Sequence, residues 1–140
     1  MGRLIKIESA GKERIHLARA VVVALRAMLR RSEPDQELRD LAAFIALALA
    51  GMAETIDISV AAWEKRNYWV KADRFRTEWS WTLKLSSEMR HAVLEDDWGK
   101  VAAIAAQVGQ QLHKIEVSEN NRIGRPWTGA WDELKKQTSS

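Results

Sequence analysis

The sequence predicts an all-α protein: a four-helix bundle of up-and-down or related topology, with a short extended N-terminal arm (residues 1–10) and an aromatic C-terminal tail (residues 116–140). Three observations lead there. Apolar residues recur at three- and four-residue spacing through most of residues 11–115, the pattern of helices with one buried face. Start and stop signals divide that span into four: "SEPD" from Ser32, a lone Asn67, and "EDD" from Glu95. At 140 residues, with 46% apolar and 29% charged side chains, the chain is long enough for one core and too short for two. One helical domain over residues 1–140 is the expectation.

The arm begins "RLIKI", which alternates as a short strand does, and "KIEV" at 114–117 is a candidate partner. Gly11 precedes helix one, "KERIHLARAVVVALRAMLRR", in which Ile15, Ala18, Val22, Leu25 and Leu29 define the expected core face. Ser32 is the expected N-cap of helix two, with Pro34 in its first turn and Asp35, Glu37 and Asp40 near the positive end of its dipole.

Helix two places Leu38, Leu41, Ile45, Ala48, Met52, Ile56, Ser59 and Trp63 on one stripe, and over residues 41–53 its other sides are apolar too. Such a helix needs cover on more than one face. It is either the central helix of the monomer or partly an oligomer interface, because large exposed apolar patches are unusual on monomers. The expectation is a homo-oligomer, with Ala43, Phe44 and Leu47 at the interface.

Asn67 tolerates left-handed backbone and marks the turn into helix three, which runs to about residue 95; a helix continuous through Asn67 is the alternative. The acids of "EDD" cap helix four, residues 98–114. Next, "IGRPWTGAW" reads as a loop, followed by a short helix over 129–137 with Thr128 as its cap and Trp127, Trp131 and Leu134 on one side. Tryptophans are seldom left in water, so Trp127 and Trp131 dock either on their own bundle or on a neighbouring subunit.

Several function classes are argued against. Without cysteine there are no disulfides, thiolate metal sites or Cys nucleophiles. No targeting signal is legible, and the longest uncharged run, residues 41–53, is shorter than the roughly 18 residues a bilayer demands. A cytoplasmic protein with no membrane partner is expected. Two Glu-x-x-His patterns, Glu13/His16 and Glu88/His91, invite comparison with di-metal bundles. Both fall opposite their helix's apolar stripe, as does His113, and helix four has no interior carboxylate, so no metal or other cofactor is expected. Ser80, Ser86 and Ser87 lie mid-helix with no base beside them in sequence, and no nucleophile elbow or phosphate-binding glycine loop occurs. Glu54 with Asp57, and Asp96 with Asp97, read as surface and capping charges. Neither catalysis nor a small-molecule substrate is expected.

Two functions survive. The net charge is +3, unevenly spread: residues 11–31 hold six Lys or Arg against one Glu, whereas residues 32–66 hold seven acids against three bases. On helix one, Lys12, Arg19, Arg26 and Arg30 share a ridge that suits either a phosphate backbone or an inter-helix or inter-subunit ion-pair seam with the acids of helices two and three. In "NYWVKADRFRTEWSW", residues 67–81, the positions Tyr68, Ala72, Phe75, Trp79, Thr82, Ser86, Met89 and Val93 form one expected core stripe, with Trp69 and Trp81 off it. The first function expected is a non-catalytic assembly protein, homo-oligomeric through Ala43, Phe44, Leu47, Trp81, Trp127 and Trp131. The alternative is a nucleic-acid-binding subunit using Lys12, Arg19, Arg26 and Arg30 with Arg74, Arg76, Arg122 and Arg125.

Overall fold

The computed structural model describes residues 7–31 and 33–139, and these are all-helical, with no strand among them. After a 3-10 turn at Ile7–Ser9 come six α-helices: α1 (Ala10–Leu29), α2 (Gln36–Lys65), α3 (Trp69–Trp79), α4 (Trp81–Leu94), α5 (Trp98–Gln111) and α6 (Ala130–Ser139). Most of the predicted "RLIKI" strand, and the predicted Ser32 cap, lie outside the described residues. Residues 114–117 form no strand; the Val117 carbonyl instead accepts a hydrogen bond from Arg26 Nη2 of α1 at 2.7 Å.

The apolar α2 is the central helix, touching α1, α3, α4 and α6. It is 30 residues long, and by length and composition alone it could cross a membrane, yet 56% of its most apolar window is buried within the protein. Asp35 caps it by accepting from the Leu38 amide at 2.9 Å. That hydrogen bond first, and Arg31 beside it second, hold the Asp35 carboxyl below its usual pKa. Pro34 therefore precedes the cap instead of occupying the first turn.

The buried face of α1 overlaps the predicted one only in part: Ala18 is in the core and Val22 and Leu25 pack at its edge, but Ile15 and Leu29 are left outside. Ala10, Ala18, Ala20, Val21 and Ala24 are buried, whereas Ile15 is 58% and Leu29 87% exposed. The sequence pattern weights large side chains, but here small ones face the neighbour and permit close approach. At Gly51 of α2 an added Cβ would come within 3.1 Å of Leu17 Cδ1.

Two boundaries share one device. At Asn67 (φ 64°) the Tyr68 amide bonds the Trp63 carbonyl and the Asn67 amide bonds that of Glu64; at Asp96 (φ 57°) the Asp97 and Asp96 amides bond the Ala92 and Val93 carbonyls in the same way. Both are Schellman closures with a left-handed residue after the helix, which excludes a helix continuous through Asn67. Asp97 then caps α5 through the Lys100 amide. α5 stops at Gln111, short of the expected residue 114, with Leu112 as its C-cap.

The expected third helix is divided at Ser80 into α3 and α4. Ser80 Oγ donates to the Thr77 carbonyl at 2.9 Å and Thr82 Oγ1 to that of Trp79 at 2.8 Å, and hydroxyls bonding back to the preceding turn bend helices. Two apolar clusters result. The larger gathers α1, α2, α4, α5 and the tail; the smaller joins Ile56 and Val60 of α2 to Ala72 of α3, flanked by Trp63, Phe75 and Trp79. Tyr68 leaves the predicted core stripe and is 53% exposed, because as the N-cap residue of α3 (φ −92°, ψ 58°) it does not continue the helical path.

The tail docks on its own chain. Trp127, Ala130 and Leu134 are buried in the main cluster. Thr128 does not cap α6, since its hydroxyl donates to the Arg125 carbonyl. That role falls to Asp40 of α2, which accepts from the Trp131 amide at 2.9 Å and the Gly129 amide at 3.4 Å.

Candidate nucleic-acid interface

The ridge predicted on α1 lies on the helix face turned away from α2. Lys12, Arg19 and Arg30 are exposed and Arg26 is half-buried. From Lys12 to Arg30 the ridge extends roughly 27 Å, at about 1.5 Å rise per residue. The loop after α5 crosses beside it and adds more cations. It is fastened at one end by the Arg26–Val117 hydrogen bond and folded upon itself by Asn121, whose Oδ1 accepts from the Ile123 amide and whose Nδ2 donates to the Ser118 carbonyl. Gly124, at φ 77°, turns the chain next to it.

Two clefts flank this loop. In one, of about 400 Å³, Arg122 and Ile123 meet Lys12, Ile15, His16 and Arg19. In the other, of about 420 Å³, Arg125 joins Arg26, Arg30 and Arg31, with Glu37, Glu119 and Trp127 also in the lining. Six of the eight predicted cations are thus brought to one side.

Compensation on that side is thin. Arg30 approaches Glu119 at 3.9 Å and Arg125 approaches Glu37 at 4.0 Å, both at the outer limit of ion pairing and both with an exposed arginine, where a pair contributes little. Glu37 is already bonded by Arg31 at 2.8 Å. Among the described residues no carboxylate lies within salt-bridge reach of Lys12, Arg19 or Arg122. Within the chain, among the described residues, a seam between Lys12 or Arg19 of α1 and the acids of α2 and α3 does not form.

Arg74 and Arg76 are elsewhere, on α3. Arg76 is held by Glu64 and Asp73, each at 2.8 Å, and its pKa is raised, chiefly by the Glu64 hydrogen bond.

The residues expected at an oligomer interface are scattered. Ala43 and Trp127 are buried by the chain itself. Trp81 stacks on Trp79 with ring centroids 6.0 Å apart, and Trp131 lies under Lys135 Nζ at 5.1 Å. Phe44 and Leu47 remain partly exposed, lining a cleft of about 520 Å³ between α1, α2 and the chain entering α6.

Sequence reasoning missed Arg14. Its Nε donates to Thr55 Oγ1 at 3.2 Å and its Nη2 to Ser59 Oγ at 2.8 Å, while the guanidinium sits 4.8 Å from the Phe75 ring centroid and 5.9 Å from that of Trp79. Burial lowers its pKa from the usual arginine value. The signal was available: Arg14 stands between Ala10 and Val21 on the face that packs, where a cation needs a partner.

Glu13, His16, Glu88 and His91 do not converge, for no group of three metal-ligating side chains occurs among the described residues. His16 and His91 are both exposed. No protein-family model matches the chain, and neither does any curated protein or solved structure at a significant level.

Proposed function

We propose that the protein is a non-catalytic binding module that holds the phosphate backbone of a nucleic acid along α1 and the loop beside it, without metal or cofactor, in the cytoplasm. One observation carries the reading: Lys12, Arg19, Arg26 and Arg30 form a row on the open side of α1, Arg122 and Arg125 join them from the loop, and the nearby acids leave most of this charge uncompensated. A row of roughly 27 Å is comparable to about eight phosphates of one strand at roughly 3.4 Å each. Counting the bent α3–α4 pair as one stave, the architecture is a four-helix up-and-down bundle whose tail is clipped onto α2, and the outer face of α1 is the side left open.

The test is a titration of labelled oligonucleotide at several salt concentrations with the wild type and with Arg19, Arg26 and Arg30 all changed to Ala. Each phosphate contact contributes about 0.7 to 0.9 to the slope of log affinity against log salt, so the triple variant is expected to lose roughly two to three units of slope. Absence of wild-type binding at low salt sinks the reading.

A homo-oligomer through Phe44 and Leu47, with Trp81 and Trp131, is the second reading, favoured by the apolar cleft those first two residues line. Leu47→Glu then converts a multimeric mass into a monomeric one by light scattering, and a wild type that is already monomeric removes it.

A further inference from the structure

We infer that the corner between α2 and α3 is a stacking platform for unpaired bases, so that the nucleic acid is single-stranded. This rests on the function proposed above and names the class of strand. Most rings of the neighbouring aromatic cluster are engaged with one another: Trp63 meets Phe75 edge-on at 4.8 Å, Phe75 lies 6.2 Å from Trp79, and Trp79 stacks on Trp81. Tyr68 and Trp69 take no part in that ladder and are 53% and 55% exposed, with Val70 exposed beside them. The left-handed turn at Asn67 sets both rings at the corner, where they are not covered by the chain.

The charge around the rings points to a polyanion as the occupant. Arg76 takes up both Glu64 and Asp73. That leaves Lys65, Arg66, Lys71 and Arg74 with no carboxylate in salt-bridge reach among the described residues, all four of them exposed. Lys71 lies over Trp63 at 4.5 Å, which keeps its charge close to the corner. Exposed rings interleaved with unpaired cations suit a strand whose bases are free to offer their faces, with phosphates held alongside. A duplex keeps those faces stacked within itself and offers the rings only backbone and groove.

The experiment compares a short labelled single strand with its duplex against the wild type, the double variant Tyr68→Ala/Trp69→Ala, and the triple arginine variant of α1. The wild type is expected to prefer the single strand, and the double variant to lose about tenfold or more of single-strand affinity while duplex affinity is unchanged. Trp69→Phe, which retains a ring, restores most of the loss; a change caused by misfolding would not be restored in this way, and circular dichroism of each variant checks that separately. Unchanged single-strand binding by the double variant overturns the inference, including the case in which the corner docks a protein. If the α1 triple variant still weakens binding in that case, the phosphate track stands without the platform. If the wild type binds neither oligonucleotide, both fall.

Discussion

Arg14 and Arg19 are five residues apart on α1 and meet opposite surroundings. On the inner face, Arg14 is half-buried and spends its donors on Thr55 and Ser59 with rings of α3 beneath it, so that one side chain ties three helices together. On the outer face, Arg19 is exposed and has Lys12 and Arg122 for neighbours in an open cleft. Residue type does not separate these roles. What does is the number of fixed partners: an arginine whose donors are satisfied internally is part of the fold, and one left among other cations is available to an anion.

The sharpest way to break this contrast is to place a charge on each face. Val21→Asp buries an unpaired carboxylate in the main cluster and is expected to cost at least about 4 kcal/mol, read by chemical denaturation. Arg19→Asp on the outer face is expected to stay within about 0.5 kcal/mol of the wild type while weakening oligonucleotide binding. Comparable destabilisation by both would erase the distinction between the faces. Next in size, Arg14→Ala removes three hydrogen bonds, to the Thr55 hydroxyl, the Thr55 carbonyl and the Ser59 hydroxyl, together with the ring contacts, for an expected loss of about 1–3 kcal/mol with oligonucleotide affinity unchanged. A binding defect at normal stability would instead move Arg14 to the functional side.

Smaller effects test the helix ends. Asp40→Ala uncaps α6 at a cost of about 1 kcal/mol, seen as faster amide exchange confined to the tail helix. The pH effect at Asp35 is the smallest. Its pKa in the folded protein is depressed, so its contribution is present above the unfolded value of about 3.9 and is lost as pH falls through the lower folded value. Asp35→Asn is expected to flatten that acid limb of the stability curve, and an unchanged limb counts against the cap.

At Asn67 and Asp97 the expectation and the fold agree. Asn67 and Asp97 need only their own backbone and the adjacent turn, so the corner after α2 and the start of α5 could be placed from the chain alone. The apolar girth of residues 41–53 likewise demanded cover on several sides, and α2 has it. Features that depend on distant partners were not legible. Asp40 stands near the start of α2 and gives no sign that it will cap a helix some ninety residues later. The packed face of α1 is chosen by how closely Ala18, Val21 and Ala24 let α2 approach, which a pattern weighted by hydrophobic size misassigns to Ile15 and Leu29. The basic ridge was identified from spacing, but its union with Arg122 and Arg125 depended on the path of a loop that has no periodicity.

That loop rests against α1 through the hydrogen bond from Arg26 to the Val117 carbonyl, and Arg26 belongs to the very row that the loop completes. Under the function proposed above, occupancy of the row and docking of residues 117–125 are coupled, because an anion held by cations of both α1 and the loop binds best where the two are already side by side.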